Sequence, residues 1–268
     1  MTGQAKAAGV AIVTGAAGGM GSHCARLLAE DGWRELLLCD LDAVRLEAVA
    51  APLREAGATV EVLAGQITEP SFYDALVAAL GGRQIGAVIH TAGVSLHMTD
   101  RARLLEINLD GTLLLVDAIR PHMADGGAAV LYASMASYFP ISPEADAAFE
   151  APFAPGGWRE LMPMVANEGI AYTLSKRAVR AITRREARSF GERGARLVSV
   201  SPGLVDTAMT AGEENDQTRA MRENAALPRL GRPEELASVS VFLCSPAASF
   251  ITGVDIRVDG GALASMGL

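Results

Sequence analysis

Short runs of consecutive apolar residues alternate along this chain with longer stretches in which apolar residues recur every three to four positions. The runs are Val10 to Thr14, Glu35 to Asp40, Thr59 to Leu63, Gly86 to His90, Ala128 to Ser134, Arg196 to Val200 and Asp255 to Val258. Continuous rather than alternating apolar character predicts strands covered on both faces, as in a parallel sheet. The helical pattern falls at Met20 to Glu30, about Leu41 to Ala56, from near Pro70, about Arg101 to His122, Ala171 to Arg193, and Pro233 to Leu243. The last has Pro near its start, where a missing N–H costs nothing. Repeated βα units of this kind predict a Rossmann-type, doubly wound α/β fold. It has about seven parallel strands and helices on both faces. No repeat or break in composition interrupts the chain, so residues 1–268 read as one domain. Two segments resist the pattern, about 139–169 and about 208–227. Both follow the carboxyl end of a strand, where open α/β sheets bind ligands.

Composition sharpens this picture. Half the residues are hydrophobic, only 5% are aromatic and 28 are Gly, which suits a buried sheet packed by small aliphatic helices. The formal charge of −8 comes without a basic stripe, so no nucleic-acid partner is expected. Cys24, Cys39 and Cys244 form no C-x-x-C pair, and Cys39 sits in an apolar run as buried filler. This usage fits a reducing, cytoplasmic setting. Met1 to Ala8 contains no apolar core of a secretory signal, and no apolar run approaches the ~20 residues that span a bilayer, so no membrane role is expected. His23, His90, His97 and His122 lack ligand spacing, and no metal is expected.

Two motifs carry chemistry. Thr14-Gly-Ala-Ala-Gly-Gly-Met-Gly21 lies between the first strand and the first helix. Gly15 permits the tight turn. Gly19 and Gly21 let backbone approach a pyrophosphate at the positive end of the helix dipole. Asp40 then stands at the end of the second strand, where a carboxylate accepts hydrogen bonds from adenosine ribose hydroxyls and repels a 2′-phosphate. No Arg or Lys stands at Ala16, Ala17, Gly18 or Leu41, so NAD(H) is favoured over NADP(H). The competing reading makes Asp40 a helix N-cap, a job Asp42 also fits. Further on, Tyr172 and Lys176 share one helical face. A free phenol titrates near ~10, and a neighbouring ammonium favours its ionised form. The pair therefore reads as a general acid/base, or else as a chance pair on a solvated face.

In order, the chain resembles the classical short-chain dehydrogenase/reductase family over nearly its whole length. Thr14-Gly15-x-x-x-Gly19-x-Gly21 resembles the coenzyme loop, Asn108-x-x-Gly111 the N-x-x-G motif, and Ser134 the catalytic serine. Tyr172-x-x-x-Lys176 resembles Y-x-x-x-K, and Ser201-Pro-Gly203 with Thr207 the nicotinamide loop. Gly231 to Glu235 and Asp259 to Gly261 resemble the C-terminal signatures. The resemblance implies an NAD-dependent oxidoreductase acting on a small-molecule alcohol or ketone. In it Tyr172 exchanges a proton with the substrate oxygen and Ser134 orients that oxygen. Lys176 lowers the Tyr172 pKa and binds ribose, and Asn108 holds a relay water. The implied cofactor-binding set is Gly15, Gly19, Met20, Gly21, Asp40, Leu41, Gln66, Ile67, Ala92, Gly93, Pro202, Gly203, Val205 and Thr207, with Tyr172 and Lys176 at the nicotinamide. A homotetramer or homodimer is likewise implied.

The chain departs from the family in three places. The usual N-N-A-G is His90-Thr-Ala-Gly93, where His90 either bonds neighbouring backbone or fills a strand end. The usual Asp after the third strand is Gln66. Ser134 and Tyr172 are 38 positions apart, so an insertion separates them, as in the 3α-hydroxysteroid dehydrogenase/carbonyl reductase branch. The insertion, which carries Phe149, Phe153 and Trp158, reads either as a lid over an alicyclic or steroid-like substrate or as an interface element. Alternatives for the whole chain are a sugar-nucleotide-modifying relative of the extended type and a non-catalytic NAD-sensing regulator.

Overall fold

The computed structural model describes residues 8–151, 154–208 and 215–268. Most of the N-terminal segment, Phe153 of the insertion, and Met209 to Glu214 of the second irregular segment lie outside the described residues. Seven parallel strands form one sheet in the order β3-β2-β1-β4-β5-β6-β7. They are β1 Val10–Thr14, β2 Glu35–Asp40, β3 Thr59–Ala64, β4 Ile85–His90, β5 Met123–Tyr132, β6 Arg196–Pro202 and β7 Asp255–Val258. The order reverses direction at β1, which pairs with β2 on one side and β4 on the other. The loops leaving β1 and β4 therefore part there and open a crevice.

The continuous apolar runs are explained by two cores. Ile12, Leu37, Val88 and Leu131 point into one layer, and their chain neighbours Val13, Leu38, Ile89 and Val130 point into the other. Adjacent strand residues face opposite sides, so a strand covered twice must be apolar at every position. The first layer packs under α3 (Pro70–Leu80), α5 (Gly111–Ile119) and α7 (Glu168–Gly191); the second packs under α1 (Gly19–Glu30), α2 (Ala43–Glu55) and α9 (Pro233–Cys244). Cys24, Cys39 and Cys244 are all buried in these layers, and desolvation raises the Cys24 and Cys244 thiols to about 12.

Three expectations change. The single helix expected from Arg101 to His122 is α4 (Arg101–Leu105), a π turn at Glu106–Asp110, α5, and a closing 3₁₀ turn. In the π turn the Gly111 N–H bonds the Glu106 carbonyl, five residues back. The 139–169 segment is not irregular, because it contains α6 (Pro143–Glu150) and a 3₁₀ helix over Gly157–Met164. Ser142 caps α6 through the Ala145 N–H, Pro143 opens it, and Glu144 and Asp146 sit in its first turn. The 208–227 segment contains α8 (Asp216–Asn224), held by a reciprocal cap between Asn215 and Thr218. A short α10 (Ala262–Ser265) ends the chain's regular structure. No helix of the described residues is long and apolar enough to cross a membrane.

Candidate active site

Loops from the carboxyl ends of β1, β4, β5 and β6, together with α7 and α8, surround a cavity of about 510 Å³. Of the residues singled out in the sequence, Met20, Gly93, Ser134, Tyr172, Lys176, Pro202, Gly203, Val205 and Thr207 line it. Gly15, Gly19 and Gly21 build the loop beside it, while Asp40, Leu41, Gln66, Ile67, Ala92 and Asn108 lie outside its lining.

The glycine loop is shaped by close approach. Gly15 has φ +71°, and a Cβ there would come within 2.6 Å of the Ala92 nitrogen. A Cβ on Gly21 would sit 2.1 Å from the Gly15 carbonyl oxygen. Gly19 faces Thr207 across the crevice, its would-be Cβ 3.2 Å from the Thr207 methyl. The N-terminus of α1 has no side-chain cap and no acidic residue in its first turn, which leaves its N–H groups and positive dipole for an anion. This cradle fits the pyrophosphate of a dinucleotide.

Asp40 ends β2 beside the glycine loop. Its Oδ2 accepts the Ala17 N–H at 2.9 Å and its Oδ1 the Leu41 N–H at 2.7 Å. Asp42 caps α2 by accepting from Val44 and Arg45, so Asp40 is not needed for that role. One neighbour was missed in the sequence. Arg45, in the first turn of α2, donates Nη2 to the Ala17 carbonyl at 2.8 Å and so brings a cation to the same loop. Gln66 gives its amide oxygen to Arg103 at 2.8 Å, leaving its NH2 group for other partners. Ile67 packs beside Gly111 and accepts the Tyr73 hydroxyl at its carbonyl, 2.8 Å away.

Tyr172 and Lys176 lie one turn apart on α7, with the Lys176 ammonium 5.9 Å from the phenol ring centre. That ammonium donates to the Tyr132 carbonyl at 3.0 Å, and burial lowers it to about 8. Ser134 accepts the Ala136 N–H at its Oγ, 3.1 Å away, which leaves the hydroxyl proton to be donated elsewhere. Ser137, three residues on and the other serine that could be considered for that role, is fully buried against Arg180 and does not line the cavity. Two arginines of α7 grip the loop that carries Ser134. Arg180 donates to the Ser137 carbonyl at 3.0 Å and Arg177 to the Phe139 carbonyl at 2.7 Å. Arg180 also stacks 3.6 Å from the Tyr138 ring centre, and the Tyr138 hydroxyl donates to Asp255 at 2.7 Å.

Asn108 sits in the π turn, 1% exposed. Its Oδ1 accepts the Val94 N–H at 2.8 Å, and its Nδ2 donates to the Val94 carbonyl at 3.0 Å and to Ser175 Oγ at 3.3 Å. Gly93 lets this amide and Lys176 converge, since a Cβ there would lie 3.0 Å from Asn108 Oδ1 and 3.4 Å from Lys176 Nζ.

His90 fills the end of β4 as a buried residue, and its ring bonds side chains of other elements rather than neighbouring backbone. Thr112 donates its hydroxyl to the Asn108 carbonyl at 2.7 Å, so its Oγ1 receives the His90 Nε2–H at 3.1 Å. Nδ1 is then the bare nitrogen and accepts the Thr14 hydroxyl at 2.6 Å. Burial, and next the Lys176 charge, lower this imidazole to about 3. It is a neutral ring held in one tautomer.

The C-terminal motifs brace the wall formed by Pro202 to Thr207. A Cβ on Gly203 would come within 2.6 Å of Asp259 Cα. Gly231 donates to the Leu204 carbonyl and accepts the Asp206 N–H, both at 2.8 Å, while Glu235 holds Arg229 by a two-point ion pair. The insertion divides in function. Phe139 to Ile141 and parts of Asn167 to Ile170 line the cavity, but Phe149 and Trp158 are buried in the core beneath α5 and α7. Trp158 Nε1 and the Gly156 N–H both donate to Asp110, at 2.9 and 2.8 Å. Phe149 and Trp158 thus anchor the insertion to the body of the fold. Among the described residues no three His, Cys, Asp or Glu side chains converge as metal ligands.

A family profile described as short chain dehydrogenase matches residues 9–145, and one described as Enoyl-(Acyl carrier protein) reductase matches residues 161–262. The chain is 32% identical over 269 residues to a cis-4-hydroxycyclohexanecarboxylate dehydrogenase of Sinomonas cyclohexanicum, with 97% of this chain and 98% of that one covered. The crystal structure of a short-chain dehydrogenase/reductase from Brucella melitensis, a glucose/ribitol dehydrogenase, superimposes with a TM-score of 0.76. It is 30% identical, with 94% and 96% covered. A short chain dehydrogenase from Burkholderia cenocepacia, solved in complex with NADP, gives a TM-score of 0.75 at 25% identity, with 94% and 97% covered.

Proposed function

This chain belongs to the short-chain dehydrogenase family, and from that premise we propose that it is an NAD(H)-preferring oxidoreductase of secondary alcohols and ketones, alicyclic ones among them. The observation that carries the reading is that Ser134, Tyr172 and Lys176 line one cavity beside the glycine cradle. The nicotinamide, when bound, supplies or takes the hydride. The chain's own residues place and protonate the substrate. Ser134 donates its hydroxyl proton to the substrate oxygen and holds it beside Tyr172. In alcohol oxidation the Tyr172 phenolate takes the hydroxyl proton, and in ketone reduction the phenol returns one to the carbonyl oxygen. Lys176 favours the phenolate through its charge and binds the nicotinamide ribose. Asn108 fixes the Val94 backbone and the Ser175 hydroxyl around Lys176, and its backbone is the place for a relay water.

At the adenosine end Asp40 accepts from the ribose hydroxyls and disfavours a 2′-phosphate, while Arg45 tempers that preference. The insertion resembles that of the 3α-hydroxysteroid dehydrogenase/carbonyl reductase branch, and a cytoplasmic homo-oligomer completes the reading. The test is a screen of secondary alcohols and ketones by NADH and NADPH absorbance, with Tyr172→Phe alongside. Turnover that survives unchanged in the variant overturns the assignment of the acid/base.

A further inference from the structure

Resting on the alcohol/ketone reading, we infer that the substrate of this site is an uncharged molecule, and that carboxylates, phosphates and acyl groups on phosphorylated carriers are refused. The inference comes from what the cavity offers beyond the nicotinamide end. Its walls there are aliphatic and thioether carbon: Val94, Leu96, Met135, Ile141, Leu204 and Met221. Among the described lining residues Lys176 is the only Lys, Arg, Asp or Glu. That ammonium is already committed. It donates to the Tyr132 carbonyl at 3.0 Å, deep beside Tyr172, and the proposed chemistry requires it there.

Apart from His97 at the mouth, the remaining polar groups are amides and hydroxyls. Asn167 has given its Oδ1 to the Ile170 N–H and so presents its NH2 group, and Gln217 brings a second amide at the exposed rim. Such groups satisfy a hydroxyl or carbonyl but do not neutralise an anion. An anion entering this cavity would shed its hydration without gaining a cation, and a buried unpaired charge is strongly disfavoured. A hydroxylated or carbonyl-bearing ring without a charged substituent loses nothing of this kind and buries its carbon against the aliphatic wall.

A matched pair of ring compounds isolates charge from shape. The pair is 4-hydroxycyclohexanecarboxylate and its methyl ester, compared as substrates with either nicotinamide cofactor at pH 7.5. The two corresponding ketones are compared as ligands of the NADH-loaded Tyr172→Phe protein, which does not turn them over, by calorimetry. The ester is expected to exceed the acid at least 100-fold in kcat/KM, and the ester ketone to bind at least 100-fold more tightly than the acid ketone. Placing a cation in the wall, by Met221→Arg on exposed α8 or by Leu96→Arg, should raise kcat/KM for the acid at least tenfold. An acid equal to or better than its ester overturns the inference, and loss of that preference in His97→Gln would identify the cation as His97 at the mouth. If no alcohol turns over with either cofactor, the oxidoreductase reading falls, while the binding ratio of the two ketones still decides the question of charge.

Discussion

His90 offers the sharpest physical test of how this site is held together. The ring is buried, accepts from Thr14 at Nδ1 and donates to Thr112 from Nε2. Burial penalises the protonated ring, and a second cation near Lys176 adds to that penalty, which is why the group sits near 3 rather than its ordinary 6.5. Between those two values the unfolded chain binds a proton that the folded chain refuses. Stability therefore stands at its full value above pH 6.5 and falls as the pH drops toward 3. The slope approaches about 1.4 kcal/mol per pH unit, and the two ends of the window differ by about 5 kcal/mol. From pH 7.5 to pH 5.0 this one group costs about 2 kcal/mol. His90→Asn, the residue the family usually has here, and His90→Gln both keep a donor and an acceptor but cannot titrate. Guanidinium unfolding of the three proteins at fixed concentration, without cofactor, should show the wild type losing about 2 kcal/mol more than either amide variant over that interval. Parallel pH dependences in all three would refute the assignment of His90 as a buried ring that stays neutral in the folded chain.

Three further outcomes are expected. Tyr172→Phe should reduce kcat at least ~1000-fold, in the range of general acid/base catalysis, while NADH binding by fluorescence titration stays roughly constant. Asp40→Asn, which keeps an oxygen for the Ala17 N–H, should weaken NAD binding on the order of tenfold and narrow the gap to NADP. Adding Arg45→Ala should reopen that gap, and if it does not, Arg45 has no part in cofactor choice. Lys176→Met should abolish turnover yet stabilise the fold at pH 7 by on the order of 2 kcal/mol, because desolvation holds the ammonium near 8. The penalty is complete below pH 8 and is relieved as pH rises toward 10.5, so the gain measured by denaturation should shrink across that range.

The strands were legible because burial on both faces leaves no room for polar alternation, and Val10–Thr14, Glu35–Asp40 and Asp255–Val258 fall where the apolar runs place them. The glycine loop and the Tyr172/Lys176 face were legible because their spacing is local. The π turn was not, since one extra residue between hydrogen-bond partners leaves an apolar repeat almost unchanged. Yet it is the π turn that holds Asn108. The α6 helix was not read either, because it is short and lies in a segment that breaks the apolar pattern, although Ser142 caps it. Arg45 and the partners of His90 escaped for a different reason. Arg45 reaches Ala17 from 28 positions away, and Thr14 meets His90 across 76, distances that only the sheet order closes.

The helix α7 carries the proton chemistry and the grip on the serine loop along one rod: Tyr172, Lys176, Arg177 and Arg180. Each residue advances a helix by about 100°, so gaining or losing a single codon between Tyr172 and Arg180 would swing one group of functions out of phase with the other. Point changes can therefore drift freely at outward positions such as Arg188, whereas in-frame length changes cannot. The genetic tolerance of this stretch should be read in register, not in composition.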